Sequence, residues 1–290
     1  MKKLMVATTQ MACSWDVKQN VQKAEDLVNQ AAQAGAKIVL LQELFERQYF
    51  PQKQKPEFMN FASPQEDDLA VNELKKLAKK LKIVIPVSFF EKKNQNRYNS
   101  LTVIDADGTI LETYRKSHIP DDVGYEEKYY FTPGDTGFKV WNTQYGKIGI
   151  GICWDQWFPE AARCMALQGA QFIFYPSAIG SVPGHPDIDS RGHWQRTIQG
   201  HAAANLVPII VSNRVGLETI DDSQINFYGS SFITDQTGKI VEQADDHSES
   251  VLVHSFDLEK IQATQNSWGL FRDRRPDLYK PILSLDGNVR

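Results

Sequence analysis

The sequence predicts an α/β protein in which helices cover a mixed sheet or a pair of sheets. Strand-like and helix-like segments alternate through the first half of the chain. The run at 37–41 (KIVLL) is continuously apolar, which is typical of a strand buried on both faces. Two later pairs of strand-like segments flank the turn sequences 105–108 and 235–238, so antiparallel hairpins are added to the sheet. A uniform doubly wound fold is therefore not expected.

The first half of the chain supplies two helices and three buried strands. Helix 17–34 is predicted from apolar residues at helical spacing, and Gly35 ends it. A second helix is predicted over 70–81. The strands are predicted over 3–8, 37–41 and 83–87.

The second half is richer in hairpins and long loops. We predict hairpin arms at 98–104 and 110–115, a polar aromatic loop at 121–136, and a strand at 138–141 that pairs toward the strand ending at Cys153. The remaining predictions are strand 171–176, loop 177–190, helix 192–205, strand 208–212, hairpin arms 228–234 and 239–244, strand 250–257, and a polar segment from 258 with little sign of a core. Since no linker rich in Pro, Gly or Ser interrupts the 290 residues, a single domain over 1–290 is expected.

Composition narrows the classes of function. Net charge is -4 without a basic cluster, which argues against nucleic acid as a partner. No apolar run approaches the roughly 20 residues that span a bilayer, and the N-terminus reaches polar residues too soon for a signal peptide. The cysteines Cys13, Cys153 and Cys164 form no close pair, so we expect a cytoplasmic protein without disulfides. The spacing of histidines and cysteines gives no metal motif, and no cofactor is expected.

Cys153 is a candidate nucleophile because of its place in the predicted fold. Ile148, Ile150 and Ile152 predict a buried strand that ends at this cysteine, and a helix is predicted from Phe158-Pro159. A thiol at such a strand-to-helix turn meets free backbone N–H groups, and a helix N-terminus lowers the pKa of a thiol. The alternative is a small core residue, which is the common role of a free cysteine.

Two charged residues share the same kind of position as Cys153. Glu43 follows the strand 37–41 and Lys116 follows the arm 110–115. Ligands of α/β proteins gather at the carboxyl ends of strands. A carboxylate can take the thiol proton, and an ammonium can stabilise a developing oxyanion. Each charged residue taken alone is more typical of a surface strand end; the joint pattern indicates a site.

At these residues the chain resembles the nitrilase superfamily of carbon–nitrogen hydrolases. The motifs GKIGIGICWDQWFPEAAR, LLQELF, YRKSHIP and the run 127–135 occur in family order over nearly the whole chain. The resemblance implies a four-layer α-β-β-α sandwich, a Glu43–Lys116–Cys153 triad, and a second glutamate at Glu127, with Glu126 as the adjacent alternative. It also implies a homo-oligomer, a dimer or larger, that needs no cofactor or metal.

The segments around 49–50 and 175–205 resemble the branch of that family that hydrolyses N-carbamoyl amines, which implies a small-molecule N-carbamoyl amine as substrate. Candidate substrate-binding residues are Tyr49, Trp154, Asp155, Ser177, Asp187 and Asp189. Carboxylates and aromatic faces suit an ammonium, although Asp187 and Asp189 are equally typical of a solvated loop. An N-carbamoyl amino acid would instead require an arginine such as Arg191 or Arg214, and an ω-amide is a further alternative.

The resemblance also implies a mechanism. Glu43 deprotonates Cys153, Lys116 and the Trp154 N–H hold the oxyanion, and Glu127 orients the hydrolytic water. A thiol redox protein is the alternative from another class. It would need a resolving cysteine, and Cys164 lies eleven residues along a turn and helix from Cys153.

Overall fold

The computed structural model describes residues 3–185 and 187–288. The α-helices in these residues are α1 (Val17–Gln33), α2 (Leu69–Leu81), α3 (Pro159–Leu167), α4 (Arg191–Asn205) and α5 (Leu258–Trp268). The strands are β1 (Lys3–Met11), β2 (Ile38–Leu40), β3 (Ile85–Lys93), β4 (Asn96–Ile104), β5 (Tyr114–Arg115), β6 (Val140–Thr143), β7 (Gly146–Ile150), β8 (Phe172–Pro176), β9 (Ile209–Ile220), β10 (Ser223–Tyr228), β11 (Phe232–Thr234), β12 (Ile240–Gln243) and β13 (Ser250–Asp257).

The strands form two sheets, and the larger one mixes parallel and antiparallel pairs. The sequence predicted a mixed sheet or a pair of sheets. One sheet runs β12-β11-β9-β8-β7-β6, with β7, β8 and β9 parallel to one another and β6 and β11 antiparallel to their neighbours. β1 joins this sheet through a short parallel contact with β9 and pairs with β2 in parallel and β13 in antiparallel register. β3, β4 and β5 form a second, antiparallel sheet. A parallel bridge from Ile38 to Val84 links β2 to the segment that enters β3.

Successive side chains along the strands face opposite sides of each sheet, which produces three stacked hydrophobic cores and therefore four layers. Val39 faces a core shared with α1 and α2, whereas its neighbours Ile38 and Leu40 face a central core between the sheets. On the other side, Phe172 and Phe174 enter the central core, and residues between and beyond them pack under α3 and α4. This is the predicted α-β-β-α sandwich.

Several predicted elements differ from the structure. The arm predicted over 228–234 is wrong as one strand, because Gly229 and Ser230 both have φ of 53° and separate β10 from β11. The arm 110–115 is mostly irregular; only Tyr114–Arg115 pairs as a strand, and Ile110 makes an isolated bridge. The strand predicted over 138–141 lies two residues later, as β6. β3 extends well past 87 to pair along the whole of β4.

The segment from 258 was predicted as polar with little core, and its residues are mostly exposed. It nevertheless begins with α5, which Asp257 caps by accepting hydrogen bonds from the backbone of Glu259 and Lys260. No helix among the described residues is long and apolar enough to cross a bilayer.

Candidate active site

Cys153 stands three residues beyond the end of β7, at the first position of a 3₁₀ helix, Cys153–Trp157. Its φ is 44°, in the left-handed region that a non-glycine residue rarely adopts. Such strain at a strand-to-helix turn is typical of positions that present a nucleophile. The Cys153 Sγ lies 3.9 Å from the Ala178 carbonyl oxygen. The N–H of Trp154 lies in the first turn of the helix, where backbone donors have no intrahelical acceptor.

Glu43, Lys116 and Glu127 form one fully buried charged cluster. The Lys116 Nζ donates to Glu43 Oε1 at 2.8 Å and to the Glu127 Oε1 and Oε2 atoms at 2.9 and 2.7 Å. Asn99 Nδ2 also donates to Glu43 Oε1, at 2.7 Å. Within the described residues, Glu43 Oε2 is buried and has no hydrogen-bond partner. A carboxylate oxygen left free in this way can accept a proton.

Electrostatics in the cluster favour a charged lysine and a protonated thiol. Burial opposes protonation of Lys116, but the Glu127 and Glu43 carboxylates outweigh it and raise the pKa of the ammonium above its usual value. Burial raises the pKa of Glu127 to about 7; Lys116 acts to lower it and Glu43 to raise it. Glu127 therefore titrates near neutral pH.

The prediction that the turn lowers the pKa of Cys153 is wrong. Burial raises the pKa of this thiol well above its usual value, Glu43 raises it further, and Lys116 offsets only part of the effect. The turn therefore does not present a ready thiolate. The thiol needs a base to remove its proton as it attacks, and Glu43 Oε2 is the buried carboxylate oxygen without a partner.

A cavity of about 480 Å³ is lined in part by Cys153 and Glu127. Its walls are mainly aromatic and aliphatic, with a few polar groups among them. The lining residues are Pro120, Asp121, Asp122, Tyr125, Glu127, Cys153, Trp154, Trp157, Ala178, Ile179, Gly180, Val182, Ser190 and His193. Of the predicted substrate-binding residues, Trp154 lines this cavity.

Asp155 does not reach the cavity, which corrects its prediction as a substrate-binding residue. The carboxylate is fully buried and accepts hydrogen bonds from the Ile152 N–H at 2.9 Å and the Tyr114 hydroxyl at 2.7 Å. Its other oxygen accepts from the His118 backbone N–H at 3.0 Å and lies 2.7 Å from His118 Nδ1. Asp155 therefore ties the segment that carries Lys116 to the turn that carries Cys153.

Tyr49 and Ser177 also lie behind the cavity wall. The Tyr49 hydroxyl donates to Glu127 Oε1, so this tyrosine contacts the charged cluster and lies outside the cavity lining. The Ser177 Oγ is buried, 3.0 Å from Gln156 Oε1. Both side chains support groups that form the site.

Asp187 and Asp189 are exposed and do not line the cavity, so the structure does not place them with the cluster. Asp189 pairs with Arg191 and accepts from its backbone N–H, which is the ordinary role of aspartate in a loop. Pro186, in the same loop, lies outside the described residues. Asp121 and Asp122 line the cavity together with Glu127, and the sequence analysis did not predict these two as substrate-binding residues. Their position five and six residues after Lys116 was the available signal.

Within residues 3–185 and 187–288, no group of three or more His, Cys, Asp or Glu side chains is arranged to hold a metal ion. The chemistry that the cluster itself offers is nucleophilic attack by a thiol, with a carboxylate base and an ammonium for the oxyanion.

Comparisons with known proteins identify the family of the chain. Residues 5–266 match the family described as Carbon-nitrogen hydrolase. The chain is 57% identical to an N-carbamoylputrescine amidase of Arabidopsis thaliana, over 99% of this chain and 98% of the relative. It is 50% identical to a citrullinase of Francisella tularensis, over 98% and 99%. The crystal structure of a carbon-nitrogen hydrolase from Helicobacter pylori G27 superposes with a TM-score of 0.91 at 38% identity, covering 98% of this chain and 99% of that one. The chain belongs to the carbon–nitrogen hydrolase family, as a hydrolase of non-peptide carbon–nitrogen bonds.

Proposed function

We propose that this enzyme hydrolyses N-carbamoylputrescine to putrescine, carbon dioxide and ammonia, a step that forms a polyamine precursor. The observation that carries the proposal is the buried charged cluster of Glu43, Lys116 and Glu127 close to Cys153, beside a cavity for which no lysine or arginine is among the described lining residues. The similarity to plant N-carbamoylputrescine amidases over nearly the whole chain supports the same substrate. We take residues 1–290 as one catalytic domain that acts in the cytoplasm.

The first half of the reaction is attack on the ureido carbon. Glu43 Oε2 accepts the thiol proton as the Cys153 Sγ bonds to that carbon. The carbonyl oxygen becomes an oxyanion held by the Lys116 ammonium and the Trp154 N–H. Glu43 then returns the proton to the terminal nitrogen, and the carbon–nitrogen bond breaks. Ammonia leaves, and a thiocarbamate joins Cys153 to the putrescine part.

The second half is hydrolysis of the thiocarbamate. A water molecule oriented by Glu127 and Glu43 gives up a proton to the Glu43 carboxylate and attacks the same carbon. The bond to sulfur breaks, Glu43 passes the proton to the leaving sulfur, and the thiol of Cys153 is restored. The released carbamate separates into carbon dioxide and the amine, so one water is consumed for each ammonia formed.

Asp121 and Asp122, rather than Asp187 and Asp189, are the carboxylates we assign to the distal ammonium. Both are exposed residues that line the cavity, and Trp154 and Trp157 contribute aromatic rings to the same lining. No lysine or arginine is among the lining residues described. Citrulline carries its ammonium at the same distance from the ureido group but adds a carboxylate on that carbon, which two neighbouring aspartates would repel. The cavity therefore favours the amine.

The test is ammonia release by the purified protein from N-carbamoylputrescine, with citrulline, N-carbamoyl-β-alanine and glutaramate in parallel. We expect turnover of the amine with a kcat/KM at least about 100-fold above that of each acid, since an unpaired buried or repelled charge costs a few kcal/mol. Cys153→Ala is the control, and it should release no ammonia.

Preference for citrulline or glutaramate would overturn the substrate and leave the reaction class intact. Retention of turnover in a folded Cys153→Ala variant would overturn the mechanism.

The Asp121→Asn, Asp122→Asn double variant separates binding from chemistry. We expect KM for the amine to rise about three- to thirtyfold with kcat little changed, because each of the two exposed charge pairs contributes about 1 kcal/mol or less.

We also propose that the enzyme is a homo-oligomer. Its C-terminal segment carries apolar side chains that are exposed in the single chain, including Trp268, Leu278, Ile282 and Leu283. A run of this kind is typical of a surface that a second copy covers. α3 also exposes Leu167 on the outside of the sandwich.

A further inference from the structure

β9 carries a buried ion pair that has no role in the reaction described above. The side chains of Arg214 and Glu218 are 0% and 2% exposed, and Arg214 Nη1 lies 2.9 Å from Glu218 Oε1. Neither residue lines the cavity. Arg214 was one of two arginines considered for a substrate carboxylate, and its burial excludes that use. A buried pair is expensive to desolvate, which calls for another explanation of its presence.

Arg214 holds the backbone of the turn that carries the proposed base. Its Nη2 donates to the carbonyl oxygen of Glu43 at 3.0 Å and also to that of Leu44. Its Nη1 donates to the carbonyl oxygen of Arg47 at 2.8 Å. Leu44 has a φ of 48°, a conformation that a leucine keeps only where its surroundings enforce it. One guanidinium thus fixes three carbonyl groups along a strained turn.

Glu218 connects the same pair to the second glutamate. Its carboxylate accepts a hydrogen bond from the backbone N–H of Tyr49. The Tyr49 hydroxyl in turn donates to Glu127 Oε1. The ring of Tyr49 is fully buried and packs edge-on against Phe227, so its position follows that of its backbone. Arg214 and Glu218 therefore reach both carboxylates that contact Lys116.

We propose that the Arg214–Glu218 pair is a positioning device that sets the base Glu43 and the water-orienting Glu127 relative to Cys153. The inference rests on the proposed roles of these three residues and is independent of which substrate is turned over. Misplacement of a catalytic group by about 1 Å can cost on the order of 100-fold in rate. The substrate's ammonium end is held by other residues, so binding should change little.

Conservative variants test this inference, since truncating either side chain leaves the other buried and unpaired. Arg214→Lys keeps the charge, but a point donor on a flexible stem cannot serve three carbonyls and Glu218 together. Glu218→Gln keeps the shape and one acceptor oxygen. The matched control is Arg163→Lys on α3, where the arginine donates to the Ala204 carbonyl and packs against Phe271.

We expect kcat to fall at least about tenfold in Arg214→Lys and in Glu218→Gln, with KM within about threefold of wild type. Arg163→Lys should keep wild-type kcat. Circular dichroism and thermal melting identify variants that remain folded, and Glu218→Gln decides the question if Arg214→Lys does not fold. A folded Glu218→Gln variant with kcat within twofold of wild type overturns the proposal.

A double-mutant cycle with Glu43→Asp separates positioning from general loosening. If Arg214 acts through Glu43, its replacement costs less than about twofold once the base is already displaced. Independent, multiplicative losses contradict the proposal.

The rate at which iodoacetamide alkylates Cys153 compares the same variants without turnover. Mass spectrometry of the Cys153 peptide measures this rate. A displaced base slows alkylation, whereas a loosened fold exposes the buried thiol and speeds it. Alkylation therefore still decides the inference if N-carbamoylputrescine is not turned over.

Discussion

At the scale of single residues, the site joins a thiol that is not ionised at rest to a carboxylate with one free oxygen. Burial and the neighbouring carboxylates raise the pKa of Cys153, and Lys116 does not reverse this. A protonated thiol resists oxidation and alkylation, because the thiolate is the reactive form. In the proposed mechanism, proton removal coincides with attack on the ureido carbon.

Glu127→Gln tests the role of the second glutamate. We expect kcat to fall by about 10²- to 10³-fold, because the water that cleaves the thiocarbamate loses the carboxylate that orients it. In the wild type, burial raises the pKa of Glu127 to about 7, so kcat should fall as the pH drops through 7 and the carboxylate takes up a proton. The glutamine variant cannot ionise and should lack this acid limb. The measurement is kcat from pH 5 to 9, with a spectrophotometric ammonia assay.

Glu126→Gln is the matched control for that prediction. It neighbours Glu127 in the chain, is half-buried, and does not contact Lys116 within the hydrogen bonds described. Its pH profile should match that of the wild type. If Glu126→Gln lost the acid limb and Glu127→Gln kept it, the role would belong to Glu126, and the prediction for Glu127 would be wrong.

At the scale of elements, the loop that contains Gly134 folds back onto the segment that carries Lys116, directly after β5. The Gly134 N–H donates to the Lys116 carbonyl oxygen at 2.8 Å. A Cβ at Gly134 would lie 2.1 Å from the Arg115 carbonyl oxygen and 2.7 Å from that of Lys116. The position therefore requires glycine because of a close approach of two backbones.

Gly134→Ala should displace that loop and lower both stability and rate. We expect about 1–3 kcal/mol of destabilisation from overpacking, and a kcat reduced about tenfold or more as Lys116 moves. Thermal melting and steady-state kinetics measure the two effects. Gly200→Ala in α4 is the control, since no atom lies within 4 Å of its added Cβ and alanine favours a helix interior. A Gly134→Ala protein with the melting temperature and kcat of wild type would contradict this account.

Elements differ in how far the sequence determines them. Apolar patterning predicted the helices α1, α2 and α4 within a few residues, because burial dictates their periodicity. It located the buried strands, but β3 and β9 continue well past their predicted ends. It failed at Gly229-Ser230, where two positive φ angles break a run that reads as one strand. Of the charged cluster, Glu43 and Lys116 were predicted from strand ends, whereas Glu127 was predicted only from the family resemblance. Asp155 was not placed correctly, because an aspartate near a nucleophile looks the same in sequence whether it faces the cavity or supports the backbone.

At the scale of the whole molecule, the proposed homo-oligomer would bury the exposed apolar residues of the C-terminal segment. Ile282 and Leu283 are 62% and 85% exposed in the single chain. We expect the Ile282→Glu, Leu283→Glu double variant to sediment as a smaller species than wild type, because each glutamate would be buried unpaired at an interface. Sedimentation velocity is the measurement, with Leu217→Glu on β9 as an exposed control. A wild-type protein that sediments as a monomer would contradict the homo-oligomer.

The central claim for the whole enzyme is that Cys153 carries the substrate as a covalent thiocarbamate. The most direct test is mass spectrometry of peptides after an acid quench of wild type and Glu127→Gln during turnover of N-carbamoylputrescine. We predict an N-(4-aminobutyl)carbamoyl group on the Cys153 peptide, more abundant in Glu127→Gln, and none on Cys13 or Cys164. Ammonia release without any adduct on Cys153, or a disulfide from Cys153 to Cys164 in its place, would contradict the account.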